Sequence, residues 1–410
     1  MAVVMIVVAD DFTGAAEIAA AGFENGLCAD VLRQSGLISD PEGDAQCQLC
    51  VFDTDSRLHS PQAARRTIDD LSPILDSVTA GELIFKKTDS ILRGNVVAEI
   101  EAMLAATGRR RALLLPANPS SGRILVDRVY RIGNVPLDRT EFAHDPHHPA
   151  RSADPLELLG SGERTAIRYC RLSDPIPETG IVVCEASTQQ DVSEWARQIG
   201  PKDIPAGGRD FFVATIQSKL SSKTPTTRPP IELPGRALVI QGTRSRQAEA
   251  LRATLAYHER DILEFAPLDL LAPPDAVARF LDRLGRDIAA TINSGRLPIL
   301  AARRDTTDDP DMPQRIQSAF AHLARHIWDR GQVEHFLIEG GATASSILDA
   351  LDTQRLGVQQ VWAPGVVTLA ARDHSRTRLF TTKPGSYVWP DNLINVLRNS
   401  LRAHTFPTDS

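Results

Sequence analysis

The sequence has few cysteines, no excess of basic residues and no apolar run of membrane-spanning length. Its 45 Lys and Arg residues stand against 52 Asp and Glu residues, and the net charge of −7 argues against a nucleic-acid partner. The five cysteines lack disulfide-framework spacing, and Cys47 and Cys50 have no second pair that would indicate zinc. The apolar start lacks a basic flank, which is not typical of a signal peptide. These absences predict a protein of the reducing cytoplasm with no membrane partner.

The common nucleotide-binding signatures are also missing. Neither a Walker A sequence nor the dinucleotide fingerprint G-x-G-x-x-G occurs. With 410 residues, 42% of them hydrophobic, the chain is nevertheless long enough for two soluble cores. Residues 218–234 contain several prolines and little periodicity, which is typical of a linker. We therefore expect one domain at 1–217, this linker, and a second domain at 235–410.

Strand-like and helix-like segments alternate on both sides of the predicted linker. This alternation predicts an α/β fold in which each domain has a mainly parallel sheet flanked by helices. The first strand, residues 3–9, is apolar throughout, as expected of a central strand buried on both faces. Further strands are predicted at 49–52, 83–85, 112–115, 181–184, 211–215, 237–240, 297–302 and 335–338. Residues 124–180 are less regular, and His144, His147 and His148 there favour a surface loop over a metal site.

Charged and small polar residues follow four predicted strands of the first half. These clusters occupy residues 10–14, 53–57, 86–95 and 118–123. Because the carboxyl ends of parallel strands meet at one edge of a sheet, the clusters should converge. Carboxylates accept from hydroxyls and arginines fork onto carboxylates, so this edge predicts a site for a polyhydroxylated anion. Any one of these charges alone would more simply be a solvated loop residue; their recurrence favours a site.

The adjacent carboxylates Asp10 and Asp11 are the candidate catalytic groups. They precede Thr13, a plausible helix N-cap, and Gly14, which permits a tight turn or a close approach to a ligand. Helix capping explains one aspartate well and two adjacent ones less well. We expect one of them to accept a hydroxyl proton or to hold a hydroxylated substrate, and the sequence does not separate their roles.

Glycine-rich turns distinguish the second half. Gly340 and Gly341 lie between a predicted strand and a predicted helix, where backbone N–H groups and the helix dipole can hold phosphate. A turn with Thr243 and Ser245 and a third turn at Gly385 are similar candidates. Tight turning alone explains a glycine pair about as well.

The combination of motifs resembles the signatures of the four-carbon acid sugar kinase family. Residues 9–15 (ADDFTGA), 86–95 (KKTDSILRGN) and 116–123 (PANPSSGR) carry the resemblance, supported by residues 135–146, 340–344 and 383–385. It covers nearly the whole chain. It implies a sugar-acid-binding first domain and an ATP-binding second domain with a ligand cleft between them. The implied reaction, with Mg²⁺, transfers phosphate from ATP to a hydroxyl of a threonate, erythronate or 3-oxo-tetronate type of acid.

The resemblance also implies roles for individual residues. Asp10 and Asp11 would be catalytic. The substrate-binding residues would be Thr13, Gly14, Asp53, Lys86, Asp89, Ser90, Arg93 and Arg123. The ATP-binding residues would be Thr243, Ser245, Gly340, Gly341, Ala342, Thr343 and Gly385, and no metal ligand is identified. The sequence departs from the family pattern at Glu339, at Ala342, where the family usually has an acidic residue, and after Gly385, all on the ATP side.

Two other functions stay open. The first is a non-catalytic sugar-acid-binding or regulatory protein with a degenerate ATP site. The second is another class of sugar-acid enzyme, although a dehydrogenase should show a dinucleotide fingerprint and a Schiff-base aldolase would need Lys86 or Lys87 as its amine. The expected partners are a small sugar acid and ATP, and a homodimer is one open arrangement.

Overall fold

The computed structural model describes residues 4–33, 47–78, 83–145, 147–220, 231–242, 249, 251–252, 261–303, 308–372, 377–385 and 387–405. The chain divides into two units, Met1–Thr226 and Thr227–Ser410. Each unit is built on a mainly parallel sheet with helices in the crossovers, so the predicted α/β class is confirmed. The predicted ligand cleft between the domains stays a prediction. Among the described residues, no helix combines the length and the apolar character that crossing a membrane requires.

The first unit contains an eight-stranded parallel sheet and a small antiparallel one. The large sheet has the order β2-β3-β1-β4-β11-β5-β10-β9, and β6, β7 and β8 form the small sheet. The strands are β1 (Met5–Ala9), β2 (Ala29–Arg33), β3 (Leu49–Asp53), β4 (Leu83–Lys87), β5 (Arg111–Leu115), β6 (Arg123–Val126), β7 (Val129–Ile132), β8 (Val135–Pro136), β9 (Ile167–Cys170), β10 (Gly180–Cys184) and β11 (Asp203–Gly207). The α-helices are Phe12–Glu24, Pro61–Asp70, Ser72–Asp76, Val96–Thr107, Pro155–Leu159, Gln189–Arg197 and Arg209–Lys219.

The second unit has a sheet of the order β13-β14-β12-β15-β18-β17-β16. Its strands are β12 (Ala237–Gln241), β13 (Ile262–Phe265), β14 (Ile299–Ala302), β15 (His335–Glu339), β16 (Arg355–Ala363), β17 (Val366–Arg372) and β18 (Thr377–Lys383). Neighbouring strands within β13-β14-β12-β15-β18 are parallel. Strand β17 pairs antiparallel with both β18 and β16. The described α-helices are Pro274–Asn293, Met312–Asp329, Gly341–Ala350 and Asp391–Thr405.

Strand β1 organises the first unit. All five of its residues are buried, and neighbouring strands pair with it on both sides. In register, Ala9 lies beside Asp53 of β3 and beside Lys87 of β4. The strand ends that carry polar clusters therefore meet at one edge of the sheet, as the alternation of strands and helices predicted.

One prediction about secondary structure is wrong. Residues 211–215, expected as a strand, lie inside the helix Arg209–Lys219, and β11 just before it is the strand. A short apolar run fits a buried helix as well as a strand, and periodicity alone does not decide. Residues 124–180, expected to be less regular, contain most of the small sheet, a short helix and strand β9, and His144, His147 and His148 lie outside strands and α-helices.

Candidate active site

Arg57 connects the two candidate catalytic carboxylates. Its Nε and Nη2 donate to the two carboxylate oxygens of Asp10, at 2.8 and 3.0 Å, and its Nη1 donates to Asp11 at 2.7 Å. Arg57 ends the predicted polar cluster after β3, but it was not among the predicted site residues. The fork of a guanidinium fixes a carboxylate in one orientation, so Arg57 holds Asp10 in place.

The environments of Asp10 and Asp11 differ in burial and charge. Asp10 has a side chain only 2% exposed, and although burial raises its pKa, Arg57 and Lys86 outweigh that effect and lower it. Asp11 has a side chain 21% exposed, and burial together with the charge of Asp10 raises its pKa despite Arg57. Asp11 is therefore the more basic and the more accessible carboxylate of the pair.

Asp11 is also the N-cap of the first helix. Its Oδ1 accepts from the backbone N–H of Gly14 at 2.9 Å, so the predicted cap at Thr13 is wrong. A β-carbon at Gly14 would lie 2.7 Å from that Oδ1, which explains the glycine by close approach. Thr13 itself is a half-buried residue in the first turn of the helix.

A second ion cluster lies beside the first. Arg93 forks onto Asp89 with distances of 3.0 and 2.9 Å, and its Nη1 reaches Asp145 at 3.0 Å. Burial raises the pKa of Asp89, but Arg57 and Arg93 hold it well below its ordinary value. Asp145 lies 52 residues further along the chain, and no local motif indicated its part in this cluster.

Unlike Arg93, Arg123 contacts a hydroxyl group and an aromatic ring rather than a carboxylate among the described residues. It donates to the Ser90 hydroxyl, and its guanidinium lies 5.9 Å from the ring centre of Phe142. In the part of the chain that the structure describes, Arg123 forms no ion pair. The fully buried hydroxyl of Tyr130 supports this region by donating to the backbone oxygen of Ser90.

The lysines of β4 point to opposite faces of the sheet, as successive strand residues do. Lys86 is fully buried and pairs with Glu99 at 2.9 Å, so it does not present its ammonium group at the edge of the sheet. Lys87 donates to Thr88 and lies 3.3 Å from Glu17; burial lowers its pKa, but Glu17 and Asp11 outweigh this and raise it. A Schiff-base amine needs the opposite shift, so Lys87 does not support the aldolase alternative, and the ammonium group of Lys86 is held by Glu99.

Asp53 belongs to the structure beneath the site. Its side chain is fully buried and pairs with Arg33 at 3.2 Å. Burial raises the pKa of Asp53 to about 7, although Arg33 acts in the opposite direction. Its other oxygen accepts from the backbone N–H of Asp55, which shapes the turn that delivers Arg57.

In the second unit, the glycine-rich turn leads directly into a helix. Gly340 has φ = 100°, and the helix that starts at Gly341 has no side-chain cap, so its first N–H groups lack a side-chain acceptor. Ala342 is exposed and Thr343 is buried. A β-carbon at Gly242 would clash with Thr343 Oγ1, so the close approach of these two residues requires glycine at position 242.

Part of the predicted ATP site cannot be compared with the structure. Thr243 and Ser245 lie outside the described residues, whereas Gly385 is described and half-buried in the turn after β18. Within the described ranges, no group of three His, Cys, Asp or Glu side chains is placed to hold a metal ion. Mg²⁺ commonly binds through phosphates, waters and one or two carboxylates.

Comparison with known proteins finds two family matches, one in each half of the chain. Residues 5–215 match the family described as a sugar-binding N-terminal domain, and residues 238–387 match a nucleotide-binding C-terminal domain. The fold and these matches define the class, a two-domain α/β protein with one sugar domain and one nucleotide domain. The chain belongs to the four-carbon acid sugar kinase family.

Individual relatives are similar to this chain over different lengths. A D-threonate kinase of Salmonella typhimurium is 34% identical over 156 residues, 38% of this chain and 36% of that protein. A D-threonate kinase of Cupriavidus necator is 26% identical over 395 residues, 88% of this chain and 89% of that protein. The crystal structure of protein HI1011 of Haemophilus influenzae shares the fold, with a TM-score of 0.71 and 18% identity, covering 97% of this chain and 100% of that chain.

Proposed function

We propose that this protein is an ATP-dependent kinase that phosphorylates a hydroxyl group of a four-carbon sugar acid, of the threonate, erythronate or 3-oxo-tetronate type. The observation that carries the proposal is the pair Asp10 and Asp11 at the edge of the sugar-binding domain. One carboxylate is fixed by Arg57, and the other is accessible and has a raised pKa. The proposal includes a cytoplasmic location, where ATP is available and the five cysteine thiols stay reduced.

Asp11 acts as the general base in this proposal. The hydroxyl oxygen of the sugar acid attacks the γ-phosphorus of ATP, its proton passes to Asp11, and the bond between the γ-phosphorus and the bridging oxygen breaks to release ADP. Asp10 and Arg57 position Asp11, since the guanidinium contacts both carboxylates. The ion cluster of Asp89, Arg93 and Asp145 supports the substrate side of this edge.

The nucleotide side relies on backbone groups. Gly340, Gly341 and the helix that follows would hold the phosphates of ATP, with Thr343 behind them and Gly385 on the neighbouring strand end. Mg²⁺ would supply positive charge that offsets the developing charge on the phosphates. Ala342 offers no metal ligand, and this departure, with those at Glu339 and after Gly385, favours the non-catalytic binding protein as a second candidate.

Substrate binding should depend on Arg123. We expect Arg123→Lys to weaken sugar-acid binding about tenfold, because a bidentate fork onto the substrate carboxylate becomes a point charge. Calorimetric titration with the sugar acid and separately with ATP measures this effect, and ATP binding should not change. Arg131→Lys, on the neighbouring strand β7, is the matched control. Normal sugar-acid binding by Arg123→Lys would show that the carboxylate is held elsewhere.

The activity should fall at acidic pH because Asp11 must be ionised to accept a proton. The raised pKa of Asp11 means that the acid limb of kcat/KM lies above about 3.9, the ordinary value for aspartate. Asp89, whose pKa is lowered, stays ionised over the same range. The pH dependence of kcat/KM, measured by coupling ADP release to a second reaction, tests this direction. A profile that stays flat down to the ordinary aspartate pKa would contradict Asp11 as the base.

ADP release is the experiment that tests the proposed function. The full chain is assayed with ATP, Mg²⁺ and a panel of four-carbon sugar acids, with three-carbon and six-carbon acids for comparison. We expect ADP release that depends on at least one four-carbon acid. Tight sugar-acid binding without ADP release would instead favour the non-catalytic alternative.

A further inference from the structure

Three buried side chains form a cluster between two strand ends of the second unit. Lys383 Nζ lies 3.2 Å from Glu339 Oε1, and both side chains are fully buried. Trp389 Nε1 donates to the same Glu339 oxygen at 2.6 Å. Glu339 ends β15 and Lys383 ends β18, and the two residues lie side by side in the parallel register. We name these three residues the strand-end cluster.

The strand-end cluster connects the two described glycine turns of the proposed nucleotide site. Lys383 Nζ also donates to the backbone oxygens of Pro384 and Gly385, at 3.2 and 3.5 Å. The backbone N–H of Gly340 in turn donates to the backbone oxygen of Lys383 at 2.9 Å. The ammonium group thus has acceptors from both strand ends.

Stability alone does not account for this arrangement. Apolar residues can often replace a buried ion pair without loss of stability. The free-energy cost of removing two charges from water offsets their attraction. Glu339 Oε2 is buried and has no hydrogen-bond partner among the described residues, which adds a desolvation penalty. Burial also lowers the pKa of Lys383, although Glu339 opposes that shift. A costly polar group retained beside a ligand-binding turn is typical of a functional constraint.

We propose that the strand-end cluster is a positioning element that sets the spacing between the turn at Gly340 and Gly341 and the turn at Pro384 and Gly385 for the phosphates of a nucleotide. The inference rests on the proposed function, since ATP is the ligand. In the described part of the chain, Lys383 Nζ contacts Glu339 and two backbone oxygens of the second turn, so in this proposal Lys383 acts through the backbone of the turns. Backbone N–H groups bind phosphate well only when their positions are fixed beforehand.

The test is calorimetric titration of the full chain with ATP and, separately, with the sugar acid. The double variant Glu339→Gln with Lys383→Met removes both charges together, so no uncompensated charge stays buried. Trp389→Phe is a milder second variant, which removes only the N–H donor. We expect the double variant to weaken ATP binding by about tenfold or more, as loss of groups that orient direct ligands does elsewhere. The sugar-acid Kd should not change in either variant.

Thr381→Val is the matched control. Thr381 is fully buried on β18, and its hydroxyl bonds His335 and Thr368 but neither glycine turn. We expect this control to lower the melting temperature without changing the ATP Kd, which separates positioning from general stability. Trp389→Phe should weaken ATP binding less than the double variant does, and it keeps the test open should the double variant fail to fold.

The outcomes separate the two proposals. A parent protein that binds no ATP contradicts the proposed function. A parent that binds ATP, together with folded variants that bind it equally well, contradicts only the role of the strand-end cluster. Equal losses of ATP affinity in Thr381→Val and Trp389→Phe would also contradict it, because the effect would then follow stability alone.

Discussion

Asp11→Asn is expected to lower kcat by about 10²–10⁴-fold, the usual loss when a positioned general base is removed. The change is isosteric, and an asparagine at the N-cap still accepts from the backbone N–H of Gly14. The ion pair with Arg57 Nη1 is lost, so the melting temperature should fall, but less than in Asp10→Asn because the Asp11 side chain is 21% exposed. The coupled ADP-release assay measures kcat, and thermal unfolding followed by circular dichroism measures stability.

Asp10→Asn is the informative comparison. It breaks the bidentate ion pair with Arg57. Because the Asp10 side chain is only 2% exposed, we expect a loss of stability together with a loss of activity. Asp11→Asn should lose as much activity or more, with a smaller loss of stability. Near-parent turnover of Asp11→Asn would remove Asp11 from the mechanism, and the same selective loss in Asp10→Asn would exchange the two roles.

Lys86→Met is expected to destabilise the protein by about 3–5 kcal/mol, the typical cost of breaking a buried ion pair by removing one partner. Lys86 and Glu99 are 0% and 1% exposed, so the carboxylate that is left behind has no access to water. Glu99 also accepts from the Ser56 hydroxyl, which bonds Thr54 at 2.8 Å, so the disturbance reaches the turn after β3. Urea unfolding of the full chain measures the change in free energy.

Two controls make the Lys86 result specific. Lys202→Met, at an exposed position, should change the free energy of unfolding by no more than about 0.5 kcal/mol. The double variant Lys86→Met with Glu99→Leu should recover much of the lost stability, because no unpaired charge stays buried. A Lys86→Met variant as stable as the Lys202→Met control would contradict the buried pair.

The sequence predicted the frame of the site because its signals are local. The apolar residues 3–9 leave little choice but a strand buried on both faces, and the two aspartates that follow must then lie at its carboxyl end. The same reasoning placed the turns after β3 and β4 at the same edge, and the registers of Ala9 with Asp53 and Lys87 confirm it.

The details that failed depend on partners distant in sequence. Whether Lys86 or Lys87 faces the edge of the sheet depends on which face each residue of β4 occupies, and the motif alone does not specify it. Glu99 and Asp145 join the site region from other elements, and only the folded chain brings them within bonding distance. The rings of Phe211 and Phe212 pack against Phe85. Either a helix or a strand could place apolar residues there, so the apolar run alone did not identify the helix.

Identification of the reaction product tests the central claim most directly. The full chain is incubated with ATP, Mg²⁺ and one four-carbon sugar acid at a time, and the products are examined by mass spectrometry beside a parallel incubation of Asp11→Asn. The account predicts ADP and a sugar acid that carries one phosphoryl group on a hydroxyl oxygen, with far less of both from Asp11→Asn. ATP left intact with every four-carbon acid, in a folded parent protein that binds both ligands, would contradict it.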